Sequence, residues 1–380
     1  MSNFLMNTYK RNDITFVRGD GCYLYDTNGK PYLDCLAGIA VVASGHGNAF
    51  IAQAIADQSQ KLTHVSNLFS NEPQLALAEK LVQTCGFGKV FFANSGAEAN
   101  ECAIKLVRKH FSPKKYKIIC ALGSFHGRTM ASLAATGQPA KWEGFAPLLG
   151  GFVHAAFNDL TDFASKIDDQ TAAIMVEPIL GEFGVIPASD SFLHGLRELC
   201  DRHNLALIFD EVQTGIGRTG AWWAFQGYGV EPDIFTSAKG LANGLPIGAC
   251  IAKDSFASSL TPGSHGSTFG GGAVICRAAL ANLDYLETNK LVAGADDKGD
   301  YFRSQLVTLP QVKEVRGRGL MIGCVLANPV AAKINELALA SGLIINNTSD
   351  DVLRLVPPLI ISYEQMDSAV ATLNNILSEV

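Results

Sequence analysis

The chain has 380 residues, 48% of them hydrophobic and 17% charged, a balance that supports a sizeable buried core and excludes a disordered or fibrous polymer. Its formal net charge is −6 and its lysines and arginines never run beyond adjacent pairs, so no nucleic-acid or membrane partner is expected. The nine cysteines show neither a C-x-x-C pair nor a regular spacing, which argues against a metal site or a disulfide framework and fits reduced thiols in the cytoplasm. Met1 to Arg11 is polar and lacks the apolar run of a signal peptide or membrane span.

In chain order, Ile14 to Val17, Gly21 to Asp26 and Pro31 to Asp34 flank a Thr27-Asn28-Gly29 turn and read as a small antiparallel unit. A Gly-rich connector from Leu36 to Gly47 then leads to a helix from about Ala49 to Leu62, with Phe50, Ile51, Ala54 and Ile55 at helical spacing, and to a second from Pro73 to Gln83. His46 and His64 stand in loops, where a histidine is more often structural, and no role is assigned to either. The strand beginning at Lys89 stops at Asn94, and Ser95 with Glu98 forms an S-x-x-E capping box before a helix whose apolar positions are Ala99, Cys102, Ala103, Leu106 and Val107. Glu101 and Lys105 are spaced to pair on its outer face. Ser95, Gly96 and Ala97 offer a hydroxyl, free amides and no bulk, which suits a phosphate, although an ordinary capped helix has the same features.

Apolar strands at 117–121, 152–157, 172–176, 205–209, 234–236 and 248–252 alternate with helical stretches, the pattern of an α/β fold with a mostly parallel sheet. Its sites gather at the carboxyl ends of the strands, where Ser124 to Thr129, Glu177 to Glu182, Asp210 and Lys239 fall. Phe125 is placed to stack on a flat ring or to fill core, and Arg128 to hold a carboxylate or a surface ion pair. A lysine at the end of a buried strand is costly unless its amine is paired or chemically used. Alone, Lys239 and Asp210 are each explained as solvated strand-end charges; together at one sheet edge they suggest pyridoxal 5'-phosphate (PLP), with an amine for the Schiff base and an acid for the pyridine nitrogen. Gly215 to Gly220 satisfies G-x-G-x-x-G, but Ala221 to Gly229 is no crossover helix, so the stretch reads as an irregular loop beside Asp210 and not as a dinucleotide site. The Gly-rich segment Ser264 to Gly272 brings hydroxyls and amides near an anion. A helix from about 273 to 286 opens a C-terminal part with strands near 312–315, 320–326 and 352–356, where Arg354 lies within an apolar run and requires a partner.

Seven motifs spread along the chain carry a resemblance: Ala37 to Val41 with Gly45-His46, Ser66-Asn67 with Asn71-Glu72-Pro73, Asn94 to Asn100, Phe125 to Thr129, Asp210 to Gln213, Ser237 to Gly240, and Gly266 to Gly270. With them the sequence resembles the class III, PLP-dependent aminotransferases, and among these most the members that act on N2-acetylornithine. The resemblance implies fold type I, with a large, mostly parallel sheet domain at 49–272 and a smaller α+β domain built from both termini, 1–48 and 273–380. It implies Lys239 as the Schiff-base lysine, Asp210 on the pyridine nitrogen, Gln213 near the ring's 3-hydroxyl and Phe125 stacked on the ring. Ser95, Gly96 and Ala97 would bind the phosphate, Glu211 and Val212 would complete the cofactor contacts, and Thr268 would reach the phosphate from the other subunit of a homodimer. Arg128 and Ser267 would hold the donor's carboxylate, and Arg354, covered by Glu182, would serve glutamate and 2-oxoglutarate. The sequence departs from the family at Val42, where an asparagine is usual, so succinylornithine, succinyl-diaminopimelate, ornithine and 4-aminobutyrate stay open as amino donors.

Overall fold

Each strand expected from the apolar runs is present in the computed structural model, which describes residues 4–379. At the N-terminus β1 (Phe16–Asp20), β2 (Tyr23–Asp26) and β3 (Pro31–Asp34) form an antiparallel meander. The central run supplies β4 (Lys89–Ala93), β5 (Lys117–Ala121), β6 (Phe152–Ala155), β7 (Thr171–Val176), a short hairpin of β8 (Ile179–Leu180) and β9 (Ile186–Pro187), then β10 (Ala206–Asp210), β11 (Ile234–Ser237) and β12 (Gly248–Ala252). Seven of these make one sheet in the order β4-β12-β11-β10-β7-β5-β6. Only β12 runs against the others, pairing antiparallel with both β11 and β4. The link from β11 is too short for a crossover helix, so the chain returns antiparallel.

Side chains alternate through this sheet. Ile118, Cys120, Met175, Ile208 and Ile234 face the Gly96–Phe111 helix with its Cys102, Ala103 and Leu106. Ile119, Ile174, Leu207, Phe209 and Phe235 face the other layer, where the Asp190–His203 helix contributes Phe192, Leu193 and Leu196. Strands covered on both faces need no polar alternation, so β7 and β10 are buried throughout.

The C-terminal part adds β13 (Val312–Arg318), β14 (Met321–Leu326), β15 (Leu343–Ile344), β16 (Asn346–Asn347) and β17 (Val352–Leu355), with a sheet in the order β13-β14-β17-β16. Strand β15 leaves that sheet and pairs parallel with β3, Leu343 lying beside Leu33. The Ala273–Thr288 helix packs its small residues Ala278 and Ala281 against Ile51 and Ala54 of the Ala49–Lys61 helix. No helix among the described residues is long and apolar enough to cross a membrane.

Local details differ from expectation in two places, and the Gly-rich connector adds a third feature that the sequence did not announce. Ser95 caps the Gly96–Phe111 helix by accepting from the Glu98 amide at 3.2 Å, but the Glu98 carboxylate reaches back to the Asn94 amide at 2.7 Å, one residue earlier than a capping box requires. Glu101 and Lys105 do not pair: Glu101 accepts from the Ala131 and Ser132 amides, while the Lys105 amine lies 2.9 Å from His265 Nδ1. Finally, Ala37 to Ala40 form a left-handed turn with φ between 51° and 69°, at a cost of roughly 1–2 kcal/mol for each residue with a Cβ. Asp34 Oδ1 holds its entrance by accepting from the Leu36 and Ala37 amides at 2.9 and 2.8 Å.

Candidate active site

The carboxyl ends of β4, β5, β7, β10 and β11 open onto a cavity of about 440 Å³ whose walls include Ser95, Gly96, Ala97, Phe125, Arg128, Asp210, Val212, Gln213 and Lys239. Nine of the residues singled out from the sequence thus meet in one place. The other five stand back from it. Glu182 and Arg354 form an ion pair of 2.6 Å behind Gln213, and Ser267 accepts from Asn94 Nδ2 at 3.1 Å on the far side of the wall. Thr268 is exposed in a separate crevice with His64, Ser66, Asn67 and Asn71. Glu211, expected on the cofactor, turns the other way: its carboxylate accepts from the Thr214 hydroxyl in the turn after β10 and from the Ala224 and Phe225 amides that begin the Ala224–Tyr228 helix. Its side chain therefore points into core while its neighbours Asp210 and Val212 face the cavity, as alternation at a strand end dictates.

Lys239 follows β11 with φ +40°, a conformation that a residue with a Cβ adopts only where its surroundings impose it. Two asparagines impose it. Asn282 donates from Nδ2 to the Gly240 and Leu241 carbonyls at 2.8 and 3.1 Å, and Asn243 ties the next turn to Ser44 and Gly45. No hydrogen bond or ion pair engages the Lys239 amine among the described residues, and burial carries it down from 10.5 to about 8, with Glu182 opposing that shift and Arg354 adding to it.

Asp210 is buried and met by three donors. Its Oδ2 accepts from Asn100 Nδ2 and from His126 Nδ1, both at 2.8 Å, and its Oδ1 from the Val212 amide at 3.0 Å. An ionised carboxylate accepts only, so this arrangement satisfies it. Glu177, also in the wall, accepts from the Phe125 amide at 2.9 Å and the Gly181 amide at 3.2 Å. Burial first, then the nearby Asp210 charge, pushes its carboxyl up to about 8.

The two arginines differ in kind. Arg128 is exposed, its guanidinium 5.7 Å from the Phe125 ring centroid. Arg354 is fully buried and donates to Glu182, to the Gly181 carbonyl at 2.9 Å and, through Nε, to Asn346 Oδ1 at 3.0 Å, while its Nη2 has no partner among the described residues. Burial raises the Glu182 carboxyl, but Arg354 and Lys239 outweigh burial and bring it below its ordinary value.

The donor set fits PLP. The first amides of the Gly96–Phe111 helix have no intrahelical acceptor, and Gly96 and Ala97 line the cavity. A Cβ on Gly96 would lie 2.9 Å from both Val212 γ-carbons, so glycine keeps that cradle open. Phe125 and Val212 supply apolar surface for a flat ring, Asp210 an acceptor and Lys239 an amine.

The sequence profile described as "Aminotransferase class-III" matches residues 5–377. The chain belongs to the class III aminotransferases. It is 47% identical over 385 residues to an acetylornithine aminotransferase from Caldanaerobacter subterraneus subsp. tengcongensis, covering 99% of this chain and 98% of that one. A succinylornithine transaminase from Yersinia pseudotuberculosis is 46% identical over 387 residues, covering 97% and 94%. Among solved structures, an ornithine aminotransferase from Toxoplasma gondii with partial occupancy of PLP at its active site superposes with a TM-score of 0.93 at 30% identity, covering 99% and 92%. This class III aminotransferase also holds site residues to which the sequence assigned no role: Asn100, His126, Glu177 and Asn282. Asn100 and His126 lie inside recognised motifs, one helical turn from Gly96 and one residue from Phe125, and Glu177 opens the strand-end cluster that ends at Glu182. Asn282 sits on a helix with no local signal.

Proposed function

We propose that this chain binds PLP through Lys239 and transfers the terminal amino group of N2-acetyl-L-ornithine to 2-oxoglutarate, giving N-acetylglutamate 5-semialdehyde and L-glutamate, as a homodimer. The observation that carries the reading is the convergence on one cavity of the Lys239 amine, the Asp210 carboxylate and the helix N-terminus at Gly96 and Ala97. Ser95, Gly96 and Ala97 would take the phosphate, Asp210 the ring nitrogen, Gln213 the 3-hydroxyl, and Phe125 and Val212 the ring faces. Bound there, PLP supplies an electron sink for the carbanion formed at the amine-bearing carbon. Once the donor's amine has displaced it from PLP, Lys239 would serve as the base that takes the proton from that carbon and returns it, and the burial that lowers its amine in the cofactor-free chain favours the neutral form this needs. Arg128 lies at the wall for a carboxylate common to both substrates. Arg354 carries a second cation, masked by Glu182 when the donor has only one carboxylate to offer and unmasked for glutamate or 2-oxoglutarate.

Identity of 47% to an acetylornithine aminotransferase supports that donor, and 46% identity to a succinylornithine transaminase supports succinylornithine as the alternative. A panel of both acyl donors, ornithine and 4-aminobutyrate with 2-oxoglutarate decides between them. The two arginines give a sharper test. Arg354→Ala slows the glutamate half-reaction by at least about tenfold more than the acetylornithine half-reaction, the size of one charged hydrogen bond, whereas Arg128→Ala slows both. Equal damage from Arg354→Ala rejects the masked-cation role.

A further inference from the structure

We propose that Asn100 is a positioning residue for Asp210, orienting the carboxylate that faces the cofactor ring; the inference rests on the reading of Asp210 just given. Asn100 is 1% exposed and sits one turn inside the helix that begins at Gly96. Its Nδ2 donates to Asp210 Oδ2 at 2.8 Å and to the His126 carbonyl at 2.7 Å, and its Oδ1 accepts from the Thr236 hydroxyl at 2.7 Å. The orientation of this amide is forced. A carboxylate and a carbonyl accept only, so a flipped Asn100 would place its oxygen against two oxygens in a buried site. The second carboxylate donor, His126, is tied to the same residue, because Asn100 also bonds the His126 backbone while the His126 ring bonds Asp210. One buried amide therefore fixes Asp210 directly and through its neighbour, and links β11, by way of Thr236, to the acid that ends β10.

The helix gives this arrangement a further property. Gly96 and Ala97 at its first turn and Asn100 in the next belong to one rigid element, so the anion cradle and the support of the acid are set at a fixed spacing along its axis. A residue that merely filled space at position 100 would supply neither bond, and leucine keeps much of the shape while removing both donor and acceptor.

The experiment reconstitutes the parent, Asn100→Leu, Asn100→Ala and Asp210→Asn with PLP labelled with ¹⁵N in the ring. It records the ring-nitrogen chemical shift across pH 6 to 9, the cofactor dissociation constant and the rate of the first half-reaction in one turnover. For both Asn100 variants the expected result is a shift toward the unprotonated ring nitrogen and a half-reaction about ten- to a hundredfold slower per bound cofactor, with the KM for the amino donor within about twofold. A parent-like nitrogen signal and turnover in both variants overturns the inference, even if their thermal stability falls. If Asp210→Asn also leaves the ring nitrogen protonated, the reading of Asp210 itself fails and the inference with it. Should the Asn100 variants not fold, Thr236→Val frees the amide oxygen but keeps the donor: a smaller shift in the same direction supports the positioning role, and a parent-like signal overturns it.

Discussion

At Lys239 a strained backbone and a desolvated amine coincide, and the second has a measurable thermodynamic signature. An amine lowered from 10.5 to about 8 disfavours the folded, cofactor-free chain wherever it is charged. That penalty is fully present below pH 8 and fades as pH rises toward 10.5, because the native state releases its proton first. Lys239→Met should therefore stabilise the cofactor-free protein at pH 7 by up to roughly 3 kcal/mol, with the advantage vanishing near pH 10.5. Urea unfolding of both proteins at several pH values measures the gap, and a gap that does not change with pH would contradict it. At this scale the sequence was legible where a residue type is expensive in its setting: a strand-end lysine, an arginine inside an apolar strand. Asn100, His126 and Glu177 carried no such signal, since what distinguishes them is the partner each meets across the sheet edge, and those partners lie far away in sequence. Glu211 shares a motif with three cavity residues while its own side chain turns into core.

The Gly96–Phe111 helix shows what an element adds beyond its residues. Its buried face was readable from 3.6-residue spacing and its start from Ser95, while the basic last turn of Arg108, Lys109 and His110 emerges only with the structure. The fit at Gly96 was not readable, because it depends on how closely the turn after β10 approaches. Adding a Cβ there presses on both branches of Val212, which have little freedom to move. Gly96→Ala should weaken PLP binding by about tenfold, and a second substitution, Val212→Ala, should restore much of it by removing the obstruction. Cofactor titration of the single and double variants provides the test; an unchanged dissociation constant in Gly96→Ala would remove the cradle from the argument. Strand β12 illustrates the opposite limit. Its apolar run announced a buried strand, yet a run buried on both faces carries no mark of direction, which here follows from the length of the preceding connection. The two-residue strands β15 and β16 are too short to show any periodicity.

For the whole molecule, the exposed residues around Thr268 bear on assembly. Leu68, Phe69 and Phe269 are 87%, 69% and 68% exposed, and the crevice beside them holds Thr268 away from its own cavity. Apolar surface left uncovered in this way favours a partner, and the proposed homodimer would place Thr268 at the neighbouring site. Mixing Lys239→Ala with Thr268→Val chains should then restore activity above that of either parent, because one of the two pockets in the mixed dimer carries neither lesion. Activity that stays at the parental sum, or a fully active monomer in sedimentation, would oppose shared sites.

Strand β3 finds its neighbour β15 only near the far end of the chain. A ribosome makes the chain from its amino-terminal side, so the meander of β1 to β3 emerges with one edge unmatched and keeps it until Leu343 and Ile344 have been made. The seven-stranded sheet draws on residues 89 to 252 alone and has its full complement of strands well before then. The stretch from 89 to 252 can thus settle before the meander that precedes it, whose edge closes only when the segment around Leu343 arrives.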